Sequence, residues 1–151
     1  MYRLFRQEVA DDGEALPLDV CFTLRGGTDL TLVSWGAMLH ETQAAADVLA
    51  AEGISAEVID VATLKPLDLP TILESVARTG RCVIVHEAAR TAGLGAEIAA
   101  SLAEEGLYSL LAPVQRVTGY DTVMPLSRLE YQYLPSVERI VAAVRKTLEA
   151  S

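Results

Sequence analysis

At 151 residues the chain suits one domain around a single core, and with 51% hydrophobic and 22% charged residues it is too apolar to stay disordered. Its net charge of −9 argues against nucleic acid or anionic membrane as a partner, since either needs clustered Lys and Arg, and suits a basic protein partner or plain solubility. Cys21 and Cys82 are too few for a disulfide framework, no secretory segment opens the chain, and no run approaches the ~20 apolar residues of a membrane span, so a reduced, cytoplasmic setting is expected.

Residues 1–19 read as a strap or linker. Asp11-Asp12-Gly13-Glu14 is a polar turn cluster, and Pro17 keeps Leu16-Pro17-Leu18 extended. A short strand over 20–24 and a turn at Gly26-Gly27 follow. Leu30-Thr31-Leu32-Val33-Ser34-Trp35 reads as a strand broken by Gly36. Residues 37–52 read as an Ala-rich helix closed by Gly53, with Thr42, Ala45, Ala46 and Leu49 as a small-residue face that can lie close on a sheet. Residues 56–61 form the next strand. Asp68 caps a second helix that ends near Gly80, with Pro70 in its first turn and Ile72, Leu73 and Val76 on one face. A strand over 82–86, holding a buried thiol at Cys82, leads to a loop over 87–93 and a helix over 94–105. Residues 113–117 make a further strand, turning at Thr118-Gly119. The last helix, 136–149, carries the stripe Val137, Ile140, Val141, Val144 and Leu148.

Strands alternating with helix-length crossovers predict an α/β fold. The expected architecture is a three-layer sandwich with a mostly parallel sheet of about five strands, any antiparallel member coming from residues 20–25.

Several chemistries are missing. The chain has no G-x-G-x-x-G after its first strand, no phosphate loop, no paired Cys motif or His-x-x-x-His, and no nucleophile elbow. His40 sits beside Glu41 on a helix as a solvated residue. His86 differs, because it ends an apolar strand and precedes Glu87. It reads either as a general acid/base near neutral pH or as a histidine hydrogen-bonded at a subunit seam. Arg90 is placed to pair with Glu87 or Glu97. Gly93 and Gly95 let the loop approach the following helix closely. That helix offers its N-terminus to an anion, although Glu97 already stands there. Thr118-Gly119-Tyr120-Asp121 lands on the same sheet edge. Tyr131-Gln132-Tyr133-Leu134-Pro135 reads as interface or as core beneath the last helix.

Asp29–Gly36, Ala56–Asp68, Thr79–Glu97 and Arg116–Asp121, with the Arg-Gln-Glu-Val strap at 6–9, resemble the C-terminal domain of the beta subunit of thiamine-dependent 2-oxoacid dehydrogenases, the branched-chain (2-oxoisovalerate), pyruvate and acetoin enzymes. The fold so implied is that of the transketolase C-terminal domain. His86, Glu87, Arg90 and Thr91 stand at the positions of the family's His-Glu-Ala-x-Arg-Thr motif, with Gly93, Gly95, Glu97 and Asp121 in the same loop cluster. The resemblance implies no catalytic residue and no metal ligand in this chain.

The intact enzyme, on this resemblance, decarboxylates a 2-oxoacid on thiamine diphosphate with magnesium and reductively acylates lipoyl groups. The domain builds the interface with another beta subunit in a tetramer of two alpha and two beta subunits. It also docks the basic subunit-binding domain of a dihydrolipoyl acyltransferase. Such subunits carry a preceding pyrimidine-binding domain, and Met1 stands where the linker after it begins. The expected layout is therefore a strap over 1–19 and the domain over 20–151, with the pyrimidine-binding domain absent. No cofactor is expected to bind this chain alone. In some pyruvate-type members an aspartate precedes the Ala-Pro that here is Ala112-Pro113; this chain has Leu111, leaving Glu104 and Glu105 as candidate docking charges. The branched-chain type is the expected one. The alternatives are a free-standing anion- or small-molecule-binding α/β domain, and the C-terminal domain of another thiamine enzyme, such as transketolase or deoxyxylulose-phosphate synthase.

Overall fold

The computed structural model describes residue 8, residues 11–126 and residues 128–150. Residues 11–19 are exposed and form neither strand nor helix, while Arg6, Gln7 and Val9 of the expected strap lie outside the described residues. The elements in chain order are β1 (Phe22–Arg25), β2 (Leu30–Ser34), α1 (Met38–Ala51), β3 (Ala56–Asp60), α2 (Leu69–Thr79), β4 (Cys82–Ala89), α3 (Leu94–Glu105), a 3₁₀ turn (Leu107–Ser109), β5 (Gln115–Gly119), α4 (Glu130–Tyr133) and α5 (Val137–Glu149). The five strands form one sheet in the order β1-β3-β2-β4-β5. All neighbours are parallel except edge strand β1, which pairs antiparallel with β3, as residues 20–25 suggested.

Both faces of the sheet are covered, so its central strands are apolar on both sides. Leu30, Leu32, Val58, Val83 and Val85 pack with α1 and α5 on one face. Val33, Ile59, Cys82 and Ile84 pack with α2 and α3 on the other. The period of two along each strand sorts the side chains between the layers. The small face of α1, Thr42, Ala45, Ala46 and Leu49, is buried as its pattern predicts. Asp68 and Ser136 cap α2 and α5 by accepting the backbone N–H of Thr71 and Arg139. Inside, the Thr31 hydroxyl bonds Ser75 Oγ at 2.6 Å and Thr79 Oγ1 at 2.8 Å, satisfying three buried hydroxyls and fastening α2 to β2.

Strands β4 and β5 shift, and one short helix is added. β4 continues past His86 to Ala89: against β5, His86 faces Thr118 and Ala89 faces Gly119, so residues 87 and 88 are absorbed in a bulge. β5 starts at Gln115 and not at 113, because Pro113 has no N–H to give to the ladder. The four-residue helix α4 was not anticipated. No helix among the described residues is long and apolar enough to cross a membrane.

Candidate functional site

The four parallel strands end at a common edge, where most of the sequence-predicted residues gather. β4 delivers His86 there, 1% exposed. Ser34 lies opposite Val85 across the ladder, so Trp35 falls beside His86, and the two rings stack at 5.2 Å with an interplanar angle of 12°. Gly93 and Gly95 close over the imidazole. A Cβ on Gly93 would stand 2.7 Å from His86 Cε1, and one on Gly95 would stand 2.4 Å from Nε2 and 2.5 Å from Cδ2. The glycines thus admit a close approach, as their pattern suggests, and what they approach is the histidine ring. Neither ring nitrogen has a hydrogen-bond partner. Burial, and then the charge of Arg116, hold the imidazole below its ordinary pKa, so the neutral form is favoured. The ring meets neither solvent nor a polar partner; it packs the loop onto the sheet.

That loop is held from its other side by Asp121. The Thr91 backbone N–H donates to Asp121 Oδ1 at 2.8 Å and the Thr91 hydroxyl to Oδ2 at 2.7 Å. These two bonds keep the Asp121 carboxyl below the usual carboxylate range. Between the clamps, Ala92 takes φ 58°, a left-handed conformation that non-glycine residues rarely adopt.

Arg90 does not pair with Glu87 or Glu97 among the described residues. Because β4 runs on to Ala89, Arg90 stands beside β5 and its Nη1 donates to the Arg116 carbonyl at 3.0 Å. Arg116 returns the bond to the Arg90 carbonyl at 3.1 Å. Glu87 is exposed in the bulge. Glu97 lies in the first turn of α3, where a carboxylate meets the positive end of the helix dipole. The start of α3, which the anion reading needs open, is packed against His86 at Gly95. Glu104 and Glu105 do not join this cluster: they sit exposed at the far end of α3, about 15 Å of helix rise away.

The tyrosine stretch divides between its two readings. Tyr133 and Leu134 are buried, while Tyr131 is 68% exposed. The Tyr133 ring meets Tyr120 edge-on at 6.1 Å, and the Arg139 guanidinium covers the Tyr120 ring at 4.6 Å. Arg139 also donates to the carbonyls of Thr118 at 2.6 Å and Leu134 at 3.1 Å, tying α5 to the end of β5. Trp35, Arg116 and Arg139 were not singled out from sequence. For Arg139 a signal existed, since a cation in the first turn of a helix opposes the dipole and calls for a local acceptor. Leading away from this edge, Tyr120, Val123, Met124, Leu126, Leu129 and Tyr131 form a run of exposed apolar side chains, with Val123 and Leu126 87% and 89% exposed.

Among the described residues no three His, Cys, Asp or Glu side chains gather where they would hold a metal ion. The edge supplies the carboxylates of Asp60 at the end of β3, Glu87 and Asp121, the last already occupied by Thr91, and among the described residues they do not gather as a magnesium–diphosphate site requires. Burial pushes the Cys82 thiol up to about 12, and burial with Asp68 and Asp60 nearby does the same to Cys21, so both are poor nucleophiles.

A mostly parallel five-stranded sheet covered on both faces makes this an α/β domain of the transketolase C-terminal type. The model of the family "Transketolase, C-terminal domain" matches residues 21–140, and the chain belongs to that family. It is 44% identical over 149 residues to the pyruvate dehydrogenase E1 component subunit beta of Bacillus subtilis (strain 168), and 42% identical over 149 residues to that of Staphylococcus epidermidis. Each alignment takes in 99% of this chain and 46% of the relative, so the chain spans about half the length of the curated relatives it matches. The resemblance to the C-terminal domain of 2-oxoacid dehydrogenase beta subunits therefore holds. A solved split gene transketolase, an inactive beta4 tetramer, superposes with TM-score 0.81 at 35% identity, covering 95% of this chain and 46% of that one. The 2-oxoglutarate:ferredoxin oxidoreductase from Magnetococcus marinus, at 15% identity and TM-score 0.56 over 85% of this chain and 19% of that one, shares the fold alone.

Proposed function

We propose that this chain is the assembly and partner-docking domain of a 2-oxoacid dehydrogenase beta subunit, joining another beta subunit and an alpha subunit in a tetramer of two of each. The observation that carries the reading is the apolar run from Tyr120 to Tyr131 at the carboxyl edge. A monomer rarely leaves contiguous apolar side chains so open to water unless another surface covers them. The His86–Gly95 packing and the Thr91–Asp121 clamp give that run a rigid base, which lowers the cost of ordering an interface. The chain is expected to sediment as a dimer at micromolar concentration. Val123→Asp with Leu126→Asp should raise its dissociation constant about a hundredfold with an unchanged circular dichroism spectrum. A wild-type chain that stays monomeric at every concentration would count against the reading.

In the assembled enzyme, thiamine diphosphate and magnesium sit on other lobes, and the chain by itself turns over no 2-oxoacid. The substrate is a 2-oxoacid whose acyl group passes to lipoyl. The relatives named as pyruvate dehydrogenase subunits favour pyruvate over 2-oxoisovalerate. The acyltransferase docks its basic subunit-binding domain near the end of α3, where Glu104 and Glu105 lie exposed. Replacing both by Lys should weaken that complex about tenfold, mainly through a slower association rate; unchanged affinity would remove these residues from the dock.

The likeness to a split gene transketolase supports a second reading, half of a divided transketolase. Reconstitution with the chains carrying the missing lobes separates the two: reductive acylation of lipoyl supports the first, and transfer of a two-carbon ketol unit supports the second.

A further inference from the structure

His86 is buried, and neither of its ring nitrogens has a hydrogen-bond partner. An imidazole held this way costs more than a phenyl ring of similar size, because two polar atoms lie without water or partner. The cover over it is small. Residues 90–93 and the first turn of α3 meet the ring through Gly93 and Gly95, while Trp35, itself half-buried, stacks on its face. The same loop holds Ala92 at a φ of 58° and is tied down beyond the histidine by the Thr91–Asp121 clamp.

The groups around the ring decide what a proton on it would meet. From β5, Arg116 opposes a charged imidazole, and Arg90 at the start of the loop is tied to Arg116 by their exchanged carbonyl bonds. From α3, the positive end of the helix dipole reaches the ring at Gly95, with the Glu97 carboxylate in the same turn. Asp121, bonded by Thr91 and by the Arg90 backbone, is held below the usual carboxylate range and stays ionised from pH 8 to pH 5. Glu87, next along β4, is exposed in the bulge, and neither β2 nor Trp35 carries an ionisable group. With the loop closed, an imidazolium is dry, unpartnered and repelled by Arg116. With the loop lifted, both nitrogens reach water and the ring keeps its stack on Trp35, whose face favours a cation.

We infer that His86 is the catch of an acid-sensitive latch: when the imidazole takes a proton, residues 90–93 and the first turn of α3 lift from the sheet edge while the sheet stays folded. Lifting frees Ala92 from its left-handed conformation and opens the Thr91–Asp121 clamp. Asp121 adjoins Tyr120, where the exposed apolar run begins, so acid loosens the base of that run. The run is the interface proposed above, and what the latch controls rests on that reading; the latch itself needs no partner.

Backbone hydrogen exchange in the full chain at pH 7.5 and pH 5.5 is the test, each rate being compared with that of an unfolded peptide at the same pH to give a protection factor. The amides to follow are Thr91, bonded to Asp121, and Ala96, bonded to the Gly93 carbonyl; the reference is Thr31 in β2, bonded to the Arg81 carbonyl. An opening that exposes a histidine of ordinary pKa, near 6.5, becomes about tenfold more favourable over that interval, so protection at Thr91 and Ala96 should fall about tenfold. It should stay at least about tenfold below that of Thr31 at both pH values, because the loop opens without the sheet. In His86→Phe, or in His86→Leu where the Phe variant does not fold, the fall should be less than about twofold. The latch is refuted if the variant shows the same fall, if wild-type protection at Thr91 and Ala96 does not change with pH, or if Thr31 exchanges no more slowly than they do. Sedimentation decides the interface separately: a chain that stays monomeric yet shows the expected exchange keeps the latch and loses the interface.

Discussion

Below pH 6.5 the chain is expected to lose stability faster than its His86→Phe variant. The ordinary histidine pKa near 6.5 applies to the unfolded chain, and in the fold it is lowered by burial and by Arg116. The unfolded state therefore binds a proton at a pH where the folded state does not. Stability gained by keeping His86 neutral is complete above pH 6.5 and is lost as pH falls from there toward the folded value, by at most about 1.4 kcal/mol per pH unit. Carboxylates elsewhere add their own acid dependence, but His86→Phe keeps it and cancels it. The phenyl ring retains the stack on Trp35 and has no nitrogen left without a partner. Urea unfolding of both proteins from pH 8 to pH 5 is the measurement. The difference between them should be flat above pH 7.5 and slope below 6.5, with Phe gaining. Parallel curves across the range would mean that the imidazole titrates in the fold as it does in water.

The reason His86 matters was only half legible in the chain. Its position at the end of an apolar strand, and the two glycines after it, could be read from local pattern. So could the strands and helices from Leu30 onward, because Gly36, Gly53, Gly80 and Gly106 punctuate segments with clear periods of 2 or 3.6. The order β1-β3-β2-β4-β5 could not, since no local pattern states which strands become neighbours. Trp35 touches His86 only because β2 lies against β4, so the stack was invisible until the sheet was assembled. Arg90 was aimed at the wrong partners for a similar reason. A strand that absorbs two residues in a bulge carries Arg90 to the flank of β5. In the tyrosine stretch, a helix of four residues is too short to display a period, and burial alternates within it between Tyr131 and Tyr133.

Gly95→Ala should destabilise the chain by about 2 kcal/mol, although helix propensity alone favours Ala over Gly by about 1 kcal/mol. Overpacking of a buried site costs roughly 1–3 kcal/mol and sometimes more, and this site is a severe case. The new methyl would stand 2.4 Å from His86 Nε2, 2.5 Å from Cδ2 and 3.2 Å from Ile84 Cγ2. The ring it meets is rigid and backed by Trp35, so it has nowhere to turn. For a chain of this size the loss corresponds to a Tm lower by roughly 4–8 °C. A double-mutant cycle assigns the cause. In a His86→Ala background the imidazole is gone, and adding Gly95→Ala should be neutral or stabilising by up to about 1 kcal/mol, a coupling of about 2–3 kcal/mol. If the glycine substitution costs the same in both backgrounds, the histidine is not what holds α3 at its distance from β4.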